Sequence, residues 1–169
     1  MNKKIFSLLA VGAITTSMLS GVVASAAEGS KDIKVTYNNQ TVIVDPDNPG
    51  SPEWQVAIPS GINFTEDKKT ADVGIELQNP DGTEYSGAAI NVDVSVASKN
   101  GYDLKKGAST VGYQVAYGSK TMAKGTTKEL ITTLSETAKA QAGQARLSDD
   151  VATVLGTHTD TLTYTVEKQ

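Results

Sequence analysis

Cysteine is absent from the 169-residue chain, which removes a disulfide framework, a thiol nucleophile and the cysteine that bacterial lipid attachment needs after a signal peptide. Histidine occurs once, at His158, so a zinc centre built from several His or Cys ligands is excluded. The 15 glycines are scattered, and none belongs to a GxGxxG turn or a P-loop. No nucleophile-elbow motif is present to give His158 a serine partner. After the first 26 residues there is no apolar run long enough to span a bilayer. The C-terminal TYTVEKQ carries neither an LPxTG-like sorting signal nor a basic tail.

What is present begins with a secretory signature. Lys3 and Lys4 precede an uncharged, mostly apolar run from Ile5 to Val23, and Ala24-Ser25-Ala26 supplies a small-residue cleavage site. Residues 1–26 therefore read as a signal peptide, with the mature protein starting near Ala27. Removing Lys3 and Lys4 from 15 basic residues leaves 13 against 19 acidic ones, a net charge of −6. That balance disfavours nucleic acid and anionic membrane, both of which attract basic patches. The expectation is a secreted protein, no membrane insertion once the signal is gone, and one domain over residues 27–169.

The mature part alternates with period two, the mark of strands. Ile33, Val35 and Tyr37 share one face, TVIVD follows at 41–45, and Trp54, Val56 and Ile58 form the next apolar row. Pro59-Ser60-Gly61 punctuates before a strand through Ile62 and Phe64. Further rows are Val73/Ile75/Leu77, Ile90/Val92/Val94/Val96 and Val111/Tyr113/Val115/Tyr117. Asn79-Pro80-Asp81-Gly82 and Asn100-Gly101 are turn signals. In GTHTDTLTYTV at 156–166, threonines occupy every second position from Thr157 to Thr165, leaving Leu162, Tyr164 and Val166 for the core. Residues 127–147 read as strands at Leu130–Leu134 and Ala140–Leu147, the alternative being one short helix near 127–140. About eight or nine short strands without crossover helices imply an all-β protein, a single antiparallel immunoglobulin-like β-sandwich.

No residue set assembles a catalytic or cofactor site, so the sequence names no catalytic, cofactor-binding or metal residue and no cofactor. DPDNPG at 45–50 begins like a calcium loop, but Pro49 and Val56 stand where oxygen ligands belong. Asp45 and Asp47 remain the only residues on which a non-EF-hand calcium site would rest. His158 reads as an exposed strand-end histidine. Asp149-Asp150 read as a solvated loop, and Asp81 as part of its turn. A Lys–Asn isopeptide bond starting from Lys34 lacks an asparagine in the last strand.

The segments WQVAIPSGINF, ADVGIELQNP, INVDVSVASKNGYDL and GTHTDTLTYTV together resemble small exported β-sandwich surface proteins of Gram-positive bacteria. These include pilin-like and spore-coat-like subunits and proteins that accompany WxL-domain proteins. The likeness runs from about Trp54 to Val166. A WxL domain has two W-x-L motifs, whereas the one tryptophan here is followed by Gln55-Val56. The resemblance implies a non-enzymatic cell-surface protein, an adhesion, matrix or pilin-like assembly subunit. Its partners would be itself, through edge strands, or an extracellular protein or glycan. Residues 27–44 are the candidate donor or swapped strand. The alternative function is an extracellular carbohydrate- or ligand-binding module using Trp54 or tyrosines, although Trp54, Tyr113, Tyr117 and Tyr164 all fall on inward faces.

Overall fold

The computed structural model describes residues 42–169, which fall within one compact unit. The signal segment 1–26, the strand expected at Ile33–Tyr37, Lys34 and most of the 27–44 donor segment lie outside the described residues. Among the described residues ten strands follow one another: β1 (Val42–Val44), β2 (Gln55–Ala57), β3 (Thr70–Gln78), β4 (Asn91–Ser98), β5 (Asp103–Lys106), β6 (Ser109–Tyr117), β7 (Lys120–Met122), β8 (Glu129–Ser135), β9 (Ala140–Leu147) and β10 (Leu162–Lys168). Every pairing is antiparallel. The larger sheet has the order β1-β2-β3-β9-β6-β5, with β7 also on β6, and the smaller has the order β10-β4-β8.

The period-two rows become the core because alternate strand residues face one side. Val73, Ile75 and Leu77 of β3, Val92, Val94 and Val96 of β4, and Tyr113, Val115 and Tyr117 of β6 are buried in one cluster fed by both sheets. Trp54 and Val56 join it fully, Ile58 only partly. Burial of such side chains contributes about 1.5–3 kcal/mol each, so the sheets are held together by their facing rows. Within the large sheet, Gly143 on β9 shows how closely neighbouring strands approach: a Cβ there would meet the Ala116 carbonyl and the ring of Tyr117, its register partner on β6.

The helix considered near 127–140 does not form; this stretch is β8 and the start of β9. Its helical spacing has a different cause. Ser95 pairs with Leu130 and Val94 with Thr132, so Ile131 is an inserted bulge residue. The bulge places buried Ile131 and Leu134 three residues apart, a separation that in sequence imitates one face of a helix. The strand expected at Ile62–Phe64 is a second difference: Ile62 and Phe64 pack against the core, but no strand pairs with them among the described residues.

The turn signals perform as their chemistry dictates. The Gly82 amide donates to the Asn79 carbonyl at 2.9 Å with φ 83° at Gly82, and the Asp81 carboxylate accepts from the amide and hydroxyl of Thr83. After Asn100, Gly101 and then Tyr102 both take left-handed conformations, φ 70° and 66°. That is costly for a bulky residue. Burial of the Tyr102 ring, fully enclosed, and a 2.6 Å bond from its amide to the Ser98 hydroxyl offset the strain. The turn carries the chain from β4 in one sheet to β5 in the other.

Candidate functional site

The chemistry-bearing groups collect where the chain crosses between sheets around residues 98–104 and 156–164. Thr159 forms a bridge with Lys105 beside the large sheet, and three residues later Leu162 is paired with Ser98 in the small sheet. Between them stands Asp160, half-buried, with a saturated carboxylate. Oδ2 accepts from the hydroxyls of Ser98 at 2.5 Å and Tyr113 at 2.6 Å. Oδ1 accepts from the amides of Asn100 at 2.9 Å and Thr161 at 2.7 Å. Burial by itself raises the carboxyl's pKa, but the bonds from Ser98, Tyr113, Thr161 and Asn100 outweigh it and hold the pKa below the usual carboxylate range. A carboxylate spending all its acceptor capacity on the protein acts as a structural anchor, with no lone pair left to serve as a base.

Two further hydroxyls mark the interior. Tyr117 and Tyr164 meet at 2.8 Å, one from each sheet, while the buried Tyr102 hydroxyl has no partner among the described residues. Burial pushes the Tyr102 phenol up to about 12, and burial also raises Tyr113, Tyr117 and Tyr164 above the ordinary phenol range. Beside this network lies a cavity of about 280 Å³. Ile58, Ile62, Phe64, Leu104, Leu162 and Tyr164 supply its apolar walls, and Tyr113 and Asp160 its polar end.

His158 is a correction to the sequence expectation of an exposed strand end. It is half-buried, with Nδ1 2.9 Å from the Gly156 carbonyl and Nε2 2.8 Å from the Ser109 hydroxyl. A carbonyl only accepts, so Nδ1 carries the proton and Nε2 accepts from Ser109. The pairing of serine with histidine is that of a hydrolase, but Ser109 is 2% exposed. Its oxygen also accepts from the Thr153 amide at 3.1 Å, and a backbone carbonyl stands where a triad carboxylate would. What these contacts do is fasten a loop. Lys106 Nζ donates to the Leu155 carbonyl, and the Ser148 hydroxyl donates to Asp150 at 2.7 Å.

The fastened loop presents apolar side chains outward: Leu155 is 94% exposed, Val151 85% and Val154 46%. Sequence reasoning passed over it, because Val151, Val154 and Leu155 look like ordinary core residues; their position between Asp149-Asp150 and Gly156 was the available signal. Asp149 and Asp150 are exposed, Asp149 lying 3.4 Å from Lys69. Asp45 is buried, and its Oδ1 accepts from the Asp47 amide at 3.0 Å. Its carboxylate therefore shapes a turn, and among the described residues no three His, Asp or Glu side chains gather as metal ligands. Trp54, Tyr113 and Tyr117 are buried as the alternation required.

No protein-family model, curated protein or solved structure matches the chain.

Proposed function

We propose that the protein is an exported, non-enzymatic surface or matrix subunit of a Gram-positive bacterium, an immunoglobulin-like β-sandwich that works by binding copies of itself or a neighbouring surface protein. The observation that carries this reading is the loop at 151–155. A free apolar loop would fold its side chains away from water, but Ser109, His158 and Lys106 hold this one by its backbone with Val151 and Leu155 turned out. Exposed apolar groups held in place are the usual anchor of a protein interface. Among the described residues β10 pairs on one side alone, with β4, and its other edge, with Thr163 and Thr165 exposed along the strand, offers a second means of association by strand addition. Glycan stacking has less to support it, since Trp54, Tyr113 and Tyr117 are enclosed.

Light scattering on the chain from Ala27 onward, over a wide concentration range, tests the reading together with electron microscopy of the same sample. Oligomers or fibres are expected. Val151→Asp combined with Leu155→Asp is expected to abolish them while leaving the melting temperature unchanged. A strict monomer that also binds no neighbouring surface protein would sink the proposal.

A further inference from the structure

An open sheet edge is a template for another strand, and proteins blunt such edges with short strands, bulges, lysines or a covering segment. Among the described residues the large sheet ends in β1 and β7, three residues each, and in β5. Lys105 of β5 already exchanges both its backbone bonds with Thr159, at 2.9 and 3.0 Å. On one side of the small sheet, β8 carries the bulge at Ile131, and Lys120 Nζ caps its Leu130 carbonyl. Between Leu162 and Val166, β10 has none of these devices. It runs seven residues in unbroken register with β4. Its inward Leu162 and Tyr164 are only partly buried, whereas Val92, Val94 and Val96 on β4 are 0% exposed, the contrast expected of a strand with nothing beyond it. We propose that this edge pairs antiparallel with β10 of a second copy about a two-fold axis at Tyr164, joining the two small sheets in the order β8-β4-β10-β10-β4-β8.

The backbone decides which groups are free. The Lys99 amide donates to the Thr161 carbonyl at 2.9 Å and the Gln169 amide to the Asn91 carbonyl at 3.0 Å, one step beyond either end of the register that pairs Leu162 with Ser98 and Lys168 with Val92. Hydrogen-bonded pairs alternate along an antiparallel ladder, so Thr163, Thr165 and Glu167 turn their N–H and C=O to β4. Leu162, Tyr164, Val166 and Lys168 turn theirs to the open edge. A two-fold at Tyr164 sets these groups against one another, Tyr164 opposite Tyr164 and Leu162 opposite Val166 of the second copy. The side chains match in the same alignment: apolar meets apolar on the inward face, Thr163 meets Thr165 on the exposed face, and Lys168 of one copy comes alongside Asp160 of the other with opposite charge. Moving the axis to Thr165 sets Lys168 against Leu162, and moving it to Thr163 sets Asp160 against Val166. The inference deepens the self-association reading and rests on it, because two paired strands alone are marginal and the contact forms between copies that the 151–155 loop has brought together.

The absence of cysteine makes the test specific. Chains from Ala27 onward carrying either Thr163→Cys or Thr165→Cys are mixed in equal amounts, assembled and mildly oxidised. Positions 163 and 165 of different copies then face each other in a non-hydrogen-bonded pair, with Cα atoms about 4.5 Å apart and within disulfide reach. The mixed disulfide should form at least about tenfold faster than either variant's link to its own kind, and than the link of a Thr127→Cys control in the exposed loop between β7 and β8. Links no faster than the control, in a sample where light scattering still shows oligomers, overturn the pairing and leave the self-association reading standing. A strict monomer overturns the pairing and self-association together. A faster link of either variant to its own kind puts the axis at another residue and overturns this one. Should the cysteine variants fold poorly, amide hydrogen exchange decides, comparing the assembled chain with the monomer carrying Val151→Asp and Leu155→Asp. On assembly the Leu162, Tyr164, Val166 and Lys168 amides should slow by about tenfold or more relative to those of Thr163 and Thr165, which already bond to β4. Equal slowing of both sets, or none, defeats the proposal.

Discussion

The Tyr113 hydroxyl donates to the Asp160 carboxylate at 2.6 Å, tying β6 of the large sheet to the residue where the chain leaves for the small one. Asp160→Ala strands that hydroxyl together with the Ser98 hydroxyl and the amides of Asn100 and Thr161. A loss of about 2–3 kcal/mol is expected, the scale for removing a charged acceptor from several donors. Urea denaturation checks it through a lowered midpoint at unchanged slope.

The same carboxylate makes stability depend on pH. Its folded pKa lies below the unfolded value of about 3.9, despite the opposing effect of burial, because four donors favour the charged form. The contribution is therefore present above pH ~4 and is lost as pH falls through the lower folded pKa. Acid titration of the unfolding free energy should show this decline, and Asp160→Asn should flatten it. An identical acid limb in the variant would place the sensitivity elsewhere.

Two buried tyrosines should respond oppositely to loss of oxygen. Tyr102 carries a hydroxyl without a partner among the described residues, so Tyr102→Phe removes a desolvated polar group and should leave stability unchanged or raise it by up to about 1 kcal/mol. Tyr113→Phe removes a donor to a carboxylate and should cost about 1.5–3 kcal/mol. Thermal melts of the two variants, measured side by side, check the contrast.

The faces of β10 can be tested in the same way. Tyr164 is turned inward to its bond with Tyr117, and Thr163 is exposed. Tyr164→Asp puts a charge against the core and should unfold the domain at room temperature, whereas Thr163→Ser should change stability by less than about 0.5 kcal/mol. Far-ultraviolet circular dichroism distinguishes the outcomes directly.

Much of this architecture could be read from period two alone. The rows Val73/Ile75/Leu77, Val92/Val94/Val96 and Val111/Tyr113/Val115/Tyr117 are buried on the faces their alternation assigned, because a strand offers each residue only two directions. Local pattern failed where pairing intervened. Ile131 broke the alternation of β8 since a bulge needs the register of β4 to be seen, and Ile62–Phe64 had strand periodicity without a strand beside it among the described residues. The candidate site was legible least of all. The bonds from Asp160 to Tyr113 and from His158 to Ser109 join residues 47 and 49 positions apart, and no local signal reports a distance of that kind. His158 was noticed for its rarity, but its partner, one serine among many, was not.

The passage of residues 159–168 from Lys105 to the whole length of β4 bears on how the protein comes apart. A segment shared by both sheets leaves neither able to melt while the other survives, since opening the small sheet frees Asp160 and with it the hold on Tyr113. The two sheets thus form one cooperative unit: their slowest amides should exchange at a common rate, and a half-unfolded form that keeps one sheet has no stable basin to occupy.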